Sequence, residues 1–261
     1  MTIRNSSLMT SIVLALMMWL GASAVALADE QFARDRIQEM SDYLTELQTF
    51  SFSYNAVFEI VTTEDQKIQL ASSGSAVVER PNRIRATRQG GFVNMELIYD
   101  GETVTLVGHD MNVFAKIELP GSLTTMVDGL RDKYGFLLPA ADLLLPDLYN
   151  ELMWDVNDVK DIGSGVVNGV ECDTFAFRTP DLDWQIWIAQ GDFPYPCRYV
   201  ITTTNMGANP QYSIDVSDWQ TDAEVISPGF SFANATGAQE IGIEELNISE
   251  LPQNFTKGAA Q

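Results

Sequence analysis

Few side chains in this sequence are of the types that break and make bonds, and those few are poorly placed for it. His109 is the only histidine and Cys172 and Cys197 the only cysteines, too few to build a His-rich or Cys-rich zinc site from the chain's own residues. His109 stands in Gly108-His109-Asp110, a turn composition in which a lone histidine is solvated. No HExxH, GxxxxGK or GxSxG segment occurs, so helical zinc sites, phosphate cradles and nucleophile elbows lack their scaffolds. Asp155-Val156-Asn157-Asp158 lacks the full ligand spacing of a calcium loop. Asp and Glu number 36 against 15 Lys and Arg. Such an excess is what a solvated acidic surface looks like, although an acid–base pair hidden among the carboxylates stays an open alternative. The expectation is a protein that is not an enzyme and carries no metal or cofactor.

A net charge of −21 repels phosphate backbones and anionic headgroups, which removes nucleic acid as a partner. The first 28 residues read as an address. Arg4 is their only charge, an apolar stretch runs from Leu8 to Leu20, and small residues lead to Ala26-Leu27-Ala28. The stretch is shorter than the roughly 18 residues that argue for a membrane span, and the ending suits signal-peptidase cleavage before Asp29. Residues 1–28 are therefore expected to be a cleavable signal peptide, and residues 29–261 a single exported, monomeric domain. In an oxidising compartment Cys172 and Cys197 are expected to form a stabilising disulfide. One objection stands: in a meander they would lie on strands flanking a third, roughly 10 Å apart, where a bridge tolerates about 7 Å between Cα atoms.

The elements that must position any site follow from periodicity. Ala33, Ile37, Met40, Leu44 and Leu47 recur at steps of four and three, one face of an N-terminal helix. The period then changes to two at Phe50, Phe52, Tyr54, Ala56, Phe58 and Ile60, a long strand with one apolar face. Further strands are expected at Ser75–Arg80, Arg83–Arg88, Val93–Tyr99, Glu102–Val107, Met111–Ile117, Trp154–Ile162, Val170–Arg178, Trp184–Ala189, Cys197–Thr204, Tyr212–Trp219 and Phe230–Phe232, with Asp100-Gly101 and Gly163-Ser164-Gly165 as turns. Eleven or twelve closely spaced strands imply an antiparallel sandwich, barrel or strongly curved sheet. An apolar helical insert, about residues 120–153, interrupts them. Ser122 is placed to cap a helix carrying Leu123, Met126, Val127, Leu130 and Tyr134 up to Gly135, and a second piece from near Pro139 is divided at Pro146. The insert is either a core plug or a lid over a cavity.

Some of these segments carry a resemblance. Glu79-Arg80-Pro81-Asn82 after Ser75–Val78, Tyr99-Asp100-Gly101-Glu102-Thr103 and Phe230-Ser231-Phe232 resemble the periplasmic outer-membrane lipoprotein carrier family (LolA-like), as does the opening order of amphipathic helix, Phe-rich strand and polar hairpin at Thr62–Lys67. Asp183-Trp184-Gln185-Ile186-Trp187-Ile188 and Val170-Glu171-Cys172 look more like an uncharacterised group of predicted periplasmic proteins related to that fold.

The resemblance implies a mainly β protein: a strongly curved antiparallel sheet or incomplete barrel with an N-terminal helix and short lid helices. It favours the lid reading and a cavity for a lipid or a protein-borne acyl chain, held as a carrier or chaperone. The matching lid latch is Arg80, with Arg83 and Arg85 as possible replacements. The cavity would be lined by Phe52, Tyr54, Phe58, Met95, Leu97, Trp184 and Ile186 from the sheet, and by Leu130, Leu144 and Leu148 from the lid. Bottom-up, the same residues describe an ordinary core, which differs from a cavity only in being filled. An envelope sensor that binds a protein partner and a structural protein with a filled core are the remaining alternatives.

Overall fold

The computed structural model describes residues 29–135, 138, 141–222, 225 and 228–246. The expected signal peptide, and the expected helix start at Pro139, lie outside the described residues. Helix α1 spans 29–46 and buries Ala33, Ile37, Met40 and Leu44 completely or nearly so, the stripe that its spacing requires. Arg36 anchors it from the side: its Nε lies 3.0 Å from Asp173 and its guanidinium donates to the Ala189 carbonyl.

The strands are β1 Thr49–Val61, β2 Lys67–Glu79, β3 Arg83–Gly90, β4 Asn94–Tyr99, β5 Thr103–Gly108, β6 Val113–Glu118, β7 Asp158–Val167, β8 Val170–Arg178, β9 Leu182–Ala189, β10 Pro196–Thr203, β11 Gln211–Thr221 and β12 Gln239–Glu240. They form one sheet in the order β12-β6-β5-β4-β3-β2-β1-β11-β10-β9-β8-β7. Every neighbouring pair is antiparallel except β12 with β6. The sheet has two free ends, β12 and β7, so it is an open curved sheet and not a closed barrel. β1 lies mid-sheet because it pairs with β2 on one side and with β11, near the chain's end, on the other.

A side chain crosses from β1 to β3 over a glycine. Gly74 stands between Tyr54 on β1 and Arg88 on β3. With no side chain in the way, the Tyr54 hydroxyl reaches over β2 and donates to the Thr87 carbonyl at 2.9 Å.

Between β6 and β7 lie α2 Leu123–Tyr134, a 3₁₀ turn Ala141–Leu144 and α3 Leu148–Leu152. Ser122 caps α2, accepting from the Thr125 amide, and Gly135 ends it in the left-handed region at φ 64°. Tyr99 pins the approach to α2, donating towards the Leu119 and Gly121 carbonyls. α3 docks on α1 where the Ser41 hydroxyl accepts from the Tyr149 amide at 3.0 Å.

Three expectations are corrected here. Gly163-Ser164-Gly165 is not a turn but part of β7: a bulge at Asp161/Gly163 and a Gly163 φ of 90° let the strand run through it. β7 accordingly starts at Asp158, leaving Trp154 outside it and 78% exposed. Phe230–Phe232 is not a strand; Phe232 packs on Phe114 with ring centroids 4.7 Å apart. It belongs to a segment that covers Ile98, Val107 and Phe114 on the sheet.

Candidate functional site

The concave side of the sheet holds a cavity of about 180 Å³, walled by β1, β2, β3, β4, β5 and β11, by α1 and by the segment carrying Leu138, Ala141, Leu143 and Leu144. For scale, engineered apolar cavities of about 150 Å³ stay dry and take up benzene. Alternation brings the sheet's share of the wall to one face: Phe50, Phe52, Tyr54 and Ala56 are successive inward positions of β1, and Ile84, Ala86 and Arg88 those of β3. An aromatic stack stiffens one side. Trp219 lies 5.3 Å from Phe50, 5.8 Å from Phe52 and 5.0 Å from Tyr195, centroid to centroid, and its indole donates to the Tyr43 hydroxyl at 3.1 Å.

Of the residues expected here, Phe52, Tyr54, Met95, Leu97 and Leu144 are on the wall. Trp184, Ile186, Leu130 and Leu148 are not: they are buried in filled core, Trp184 lying 3.9 Å from Phe177 in a stacked pair. Phe58, 40% exposed, lies beyond the wall. Counting inward positions cannot separate the two cases, because α1, α2 and α3 fill part of the concave face and leave the rest open. Leu44, Phe50, Tyr212, Ile214, Val216 and Trp219 are wall residues that sequence reasoning missed. Phe50 and Leu44 did carry a signal, each continuing a recognised apolar face into the cavity.

Arg80 is at the closed end. Its guanidinium donates to the Leu144 carbonyl at 2.8 Å and to the Leu44 carbonyl at 3.3 Å, and lies 5.8 Å from the Phe50 ring centroid. It thus ties the turn over the cavity to α1 and to the strand end. Burial lowers the Arg80 pKa, and its Nε has no hydrogen-bond partner among the described residues, so the two carbonyls carry the compensation for a desolvated charge. Arg83 and Arg85 are occupied elsewhere: Arg83 pairs with Glu79 at 2.7 Å and Arg85 with Glu96 at 2.6 Å. The part of the insert that covers the cavity is the short turn Ala141–Leu144 with Leu138. α2 and α3 bury Met126, Leu130 and Leu148 as core.

The expected disulfide is absent. Cys172 and Cys197 are free thiols, 0% and 1% exposed. The register skips from Pro196↔Ile188 to Arg198↔Trp187, so Cys197 sits in a bulge. Ala189, opposite Cys172, is small enough to leave room, and the thiols meet in a hydrogen bond that lowers the Cys172 pKa and raises that of Cys197. Burial, with Cys197 beside it, pushes the Tyr195 hydroxyl up to about 12. The reduced, folded protein should react with a thiol-alkylating reagent at least 100-fold more slowly than after denaturation, read by mass spectrometry; equal rates would contradict this burial.

His109 is 44% exposed on its side chain, 3.6 Å from Glu96. No cluster of three or more His, Cys, Asp or Glu that could hold a metal occurs among the described residues, and no helix among them is long and apolar enough to cross a membrane.

The chain is thus an open, curved antiparallel sheet whose apolar hollow is covered by a helix and a short turn. The chain belongs to the family described as Predicted periplasmic protein (DUF2092), which it matches over residues 33–244, and it is a periplasmic protein. Among solved structures it is similar to the lipoprotein LppX from Mycobacterium tuberculosis, at 13% identity and TM-score 0.44 over 74% of this chain and 96% of that one. It is also similar to LprF from Mycobacterium bovis, at 12% and 0.48 over 76% and 97%, and to a LolA superfamily protein from Nitrosomonas europaea, at 8% and 0.30 over 73% and 93%. No curated protein matches the chain.

Proposed function

We propose that this protein binds a hydrophobic ligand, a lipid or a protein-borne acyl chain, and acts as a periplasmic carrier or chaperone without catalysing a reaction. The observation that carries the reading is the hollow itself: a largely apolar space, partly open to solvent, over which a half-buried arginine fastens a turn. Its wall leaves apolar surface against water that a ligand's tail would bury. An acyl chain entering it gains roughly 0.8 kcal/mol per buried CH₂, enough to hold a lipid in aqueous surroundings with no covalent step. The acidic surface keeps the loaded protein from adhering to anionic membranes.

Ala86 offers the test. It is half-buried on the cavity wall, so Ala86→Phe occupies the space a ligand would take. The wild type should bind a fluorescent fatty-acid probe, and Ala86→Phe should bind it at least tenfold more weakly, with a thermal midpoint unchanged or raised by the filled void. Equal probe affinity in both proteins would overturn the reading.

A further inference from the structure

We infer that the ligand carries a long acyl chain, the outer part of which lies on an apolar ribbon that projects from the sheet beside the hollow; this rests on the cavity being a ligand site. β1 and β2 outrun their neighbours. β1 pairs with β11 only as far as Phe58↔Tyr212, and β3 meets β2 only from Ser72↔Gly90, yet β1 and β2 stay paired to Val61↔Lys67. Residues 59–61 and 67–71 therefore stand beyond the adjoining strands as a two-stranded ribbon.

The two faces of this ribbon differ. The inward alternation of β1 carries on from the wall residues Phe52, Tyr54 and Ala56 to Phe58 and Ile60, and Leu70 and Ile68 stand directly opposite these two on β2. Phe58 is exposed, and Ile60, Ile68 and Leu70 are only half-buried. The outward face is tied down by polar contacts. The Glu59 carboxylate accepts from the Gln69 side chain at 3.1 Å and from the Gln211 amide at 2.9 Å, and it pairs with Lys67 at 3.1 Å. These bonds fasten the ribbon to β11 and keep its apolar face on the side of the hollow.

Continuity and size say what covers that face. Tyr212 is a wall residue and stands opposite Phe58, so along β1 and β11 the lining of the hollow passes directly to the ribbon. The hollow's volume of about 180 Å³ is on the scale of a cavity that takes up benzene, room for a short stretch of an acyl chain. At the other end the Arg80 guanidinium fastens the turn at Leu144. A longer chain continues over Phe58 and Ile60, where each further methylene leaves water against apolar side chains.

The experiment is displacement of a fluorescent fatty-acid probe by octanoate, dodecanoate and hexadecanoate. In the wild type affinity should rise at each step, by about tenfold between the last two. Phe58→Ser/Ile60→Ser should bind octanoate within about twofold of wild type, which shows an intact hollow, and should lose the gain from dodecanoate to hexadecanoate. Phe58→Leu and the outward-facing Val57→Ser should keep it. A wild type with no gain beyond dodecanoate, or a gain that survives the double substitution, would overturn the ribbon's role and leave the cavity reading intact. A wild type that is dimeric by native mass spectrometry, made monomeric by the double substitution with its chain-length dependence unchanged, would give the face to a second copy and overturn the inference. Failure of all three acids to displace the probe would overturn both readings.

Discussion

Gly74→Ala should cost about 3 kcal/mol of folding stability, a fall in thermal midpoint of roughly 6–12 °C for a domain of this size. In an ordinary strand the exchange of glycine for alanine is mildly favourable, because glycine loses more chain entropy on folding. Here the sign reverses. A Cβ at position 74 would lie 1.9 Å from the Thr87 carbonyl oxygen and 2.7 Å from the Tyr54 hydroxyl. The first contact is with backbone, so β3 must move away from β2, and the hydrogen bond from Tyr54 to Thr87 breaks with it. Overpacking of this kind costs about 1–3 kcal/mol and the lost bond about 1 kcal/mol. Tyr54→Phe is the control, expected to lose only the smaller amount. Urea unfolding of the three proteins checks the result; a Gly74→Ala protein as stable as wild type would mean that Thr87 and Tyr54 do not close over Gly74 as described.

Arg80→Leu should release a bound fatty-acid probe about 30-fold faster than wild type. The closed arrangement loses the guanidinium's bonds to the Leu144 and Leu44 carbonyls. Hydrogen bonds to a charged donor are worth about 1.5–3 kcal/mol each. One of these is long and the group is only half-buried, so we take about 2 kcal/mol for the pair, a factor of about 30 in the open population. Leucine keeps an apolar contact with Phe50, and α2 and α3 keep their own anchors at Tyr99 and Ser41, so the fold should survive. Arg83→Leu, which removes an exposed pair with Glu79, should leave release unchanged. Stopped-flow transfer of the probe to vesicles reads all three; equal release by Arg80→Leu and wild type would remove Arg80 from the closure.

The parts of this architecture written in period and punctuation were legible beforehand. The helical stripe of α1, the alternation of β1, the Ser122 cap and the Gly135 stop each follow from local physics that tertiary packing did not override. β2 was half hidden because Gln69, Ser72, Ser73 and Ser75 give it no apolar alternation; its pairing with β1 is carried by backbone. β7 was cut short by a Gly-Ser-Gly run that resembles a turn, yet on a free edge glycine can make a bulge instead. β12 is two residues long and parallel to β6, a contact set by where the C-terminal segment crosses the sheet. The cavity was the least legible feature. Trp184 and Phe52 occupy equivalent inward positions on their strands, and only the placing of three helices decides that one is core and the other wall. Arg80 was suggested by the Arg-Pro-Asn resemblance, and its bonds to the Leu144 and Leu44 carbonyls appear only in the fold.

Native mass spectrometry of the protein, exported to a bacterial periplasm and purified without detergent, tests the central claim most directly. A filled apolar hollow predicts a bound species in about one-to-one ratio with the chain, and organic extraction should identify it as a lipid or acyl chain. A single ligand-free mass, from a protein that also takes up no fluorescent fatty acid, would contradict the account.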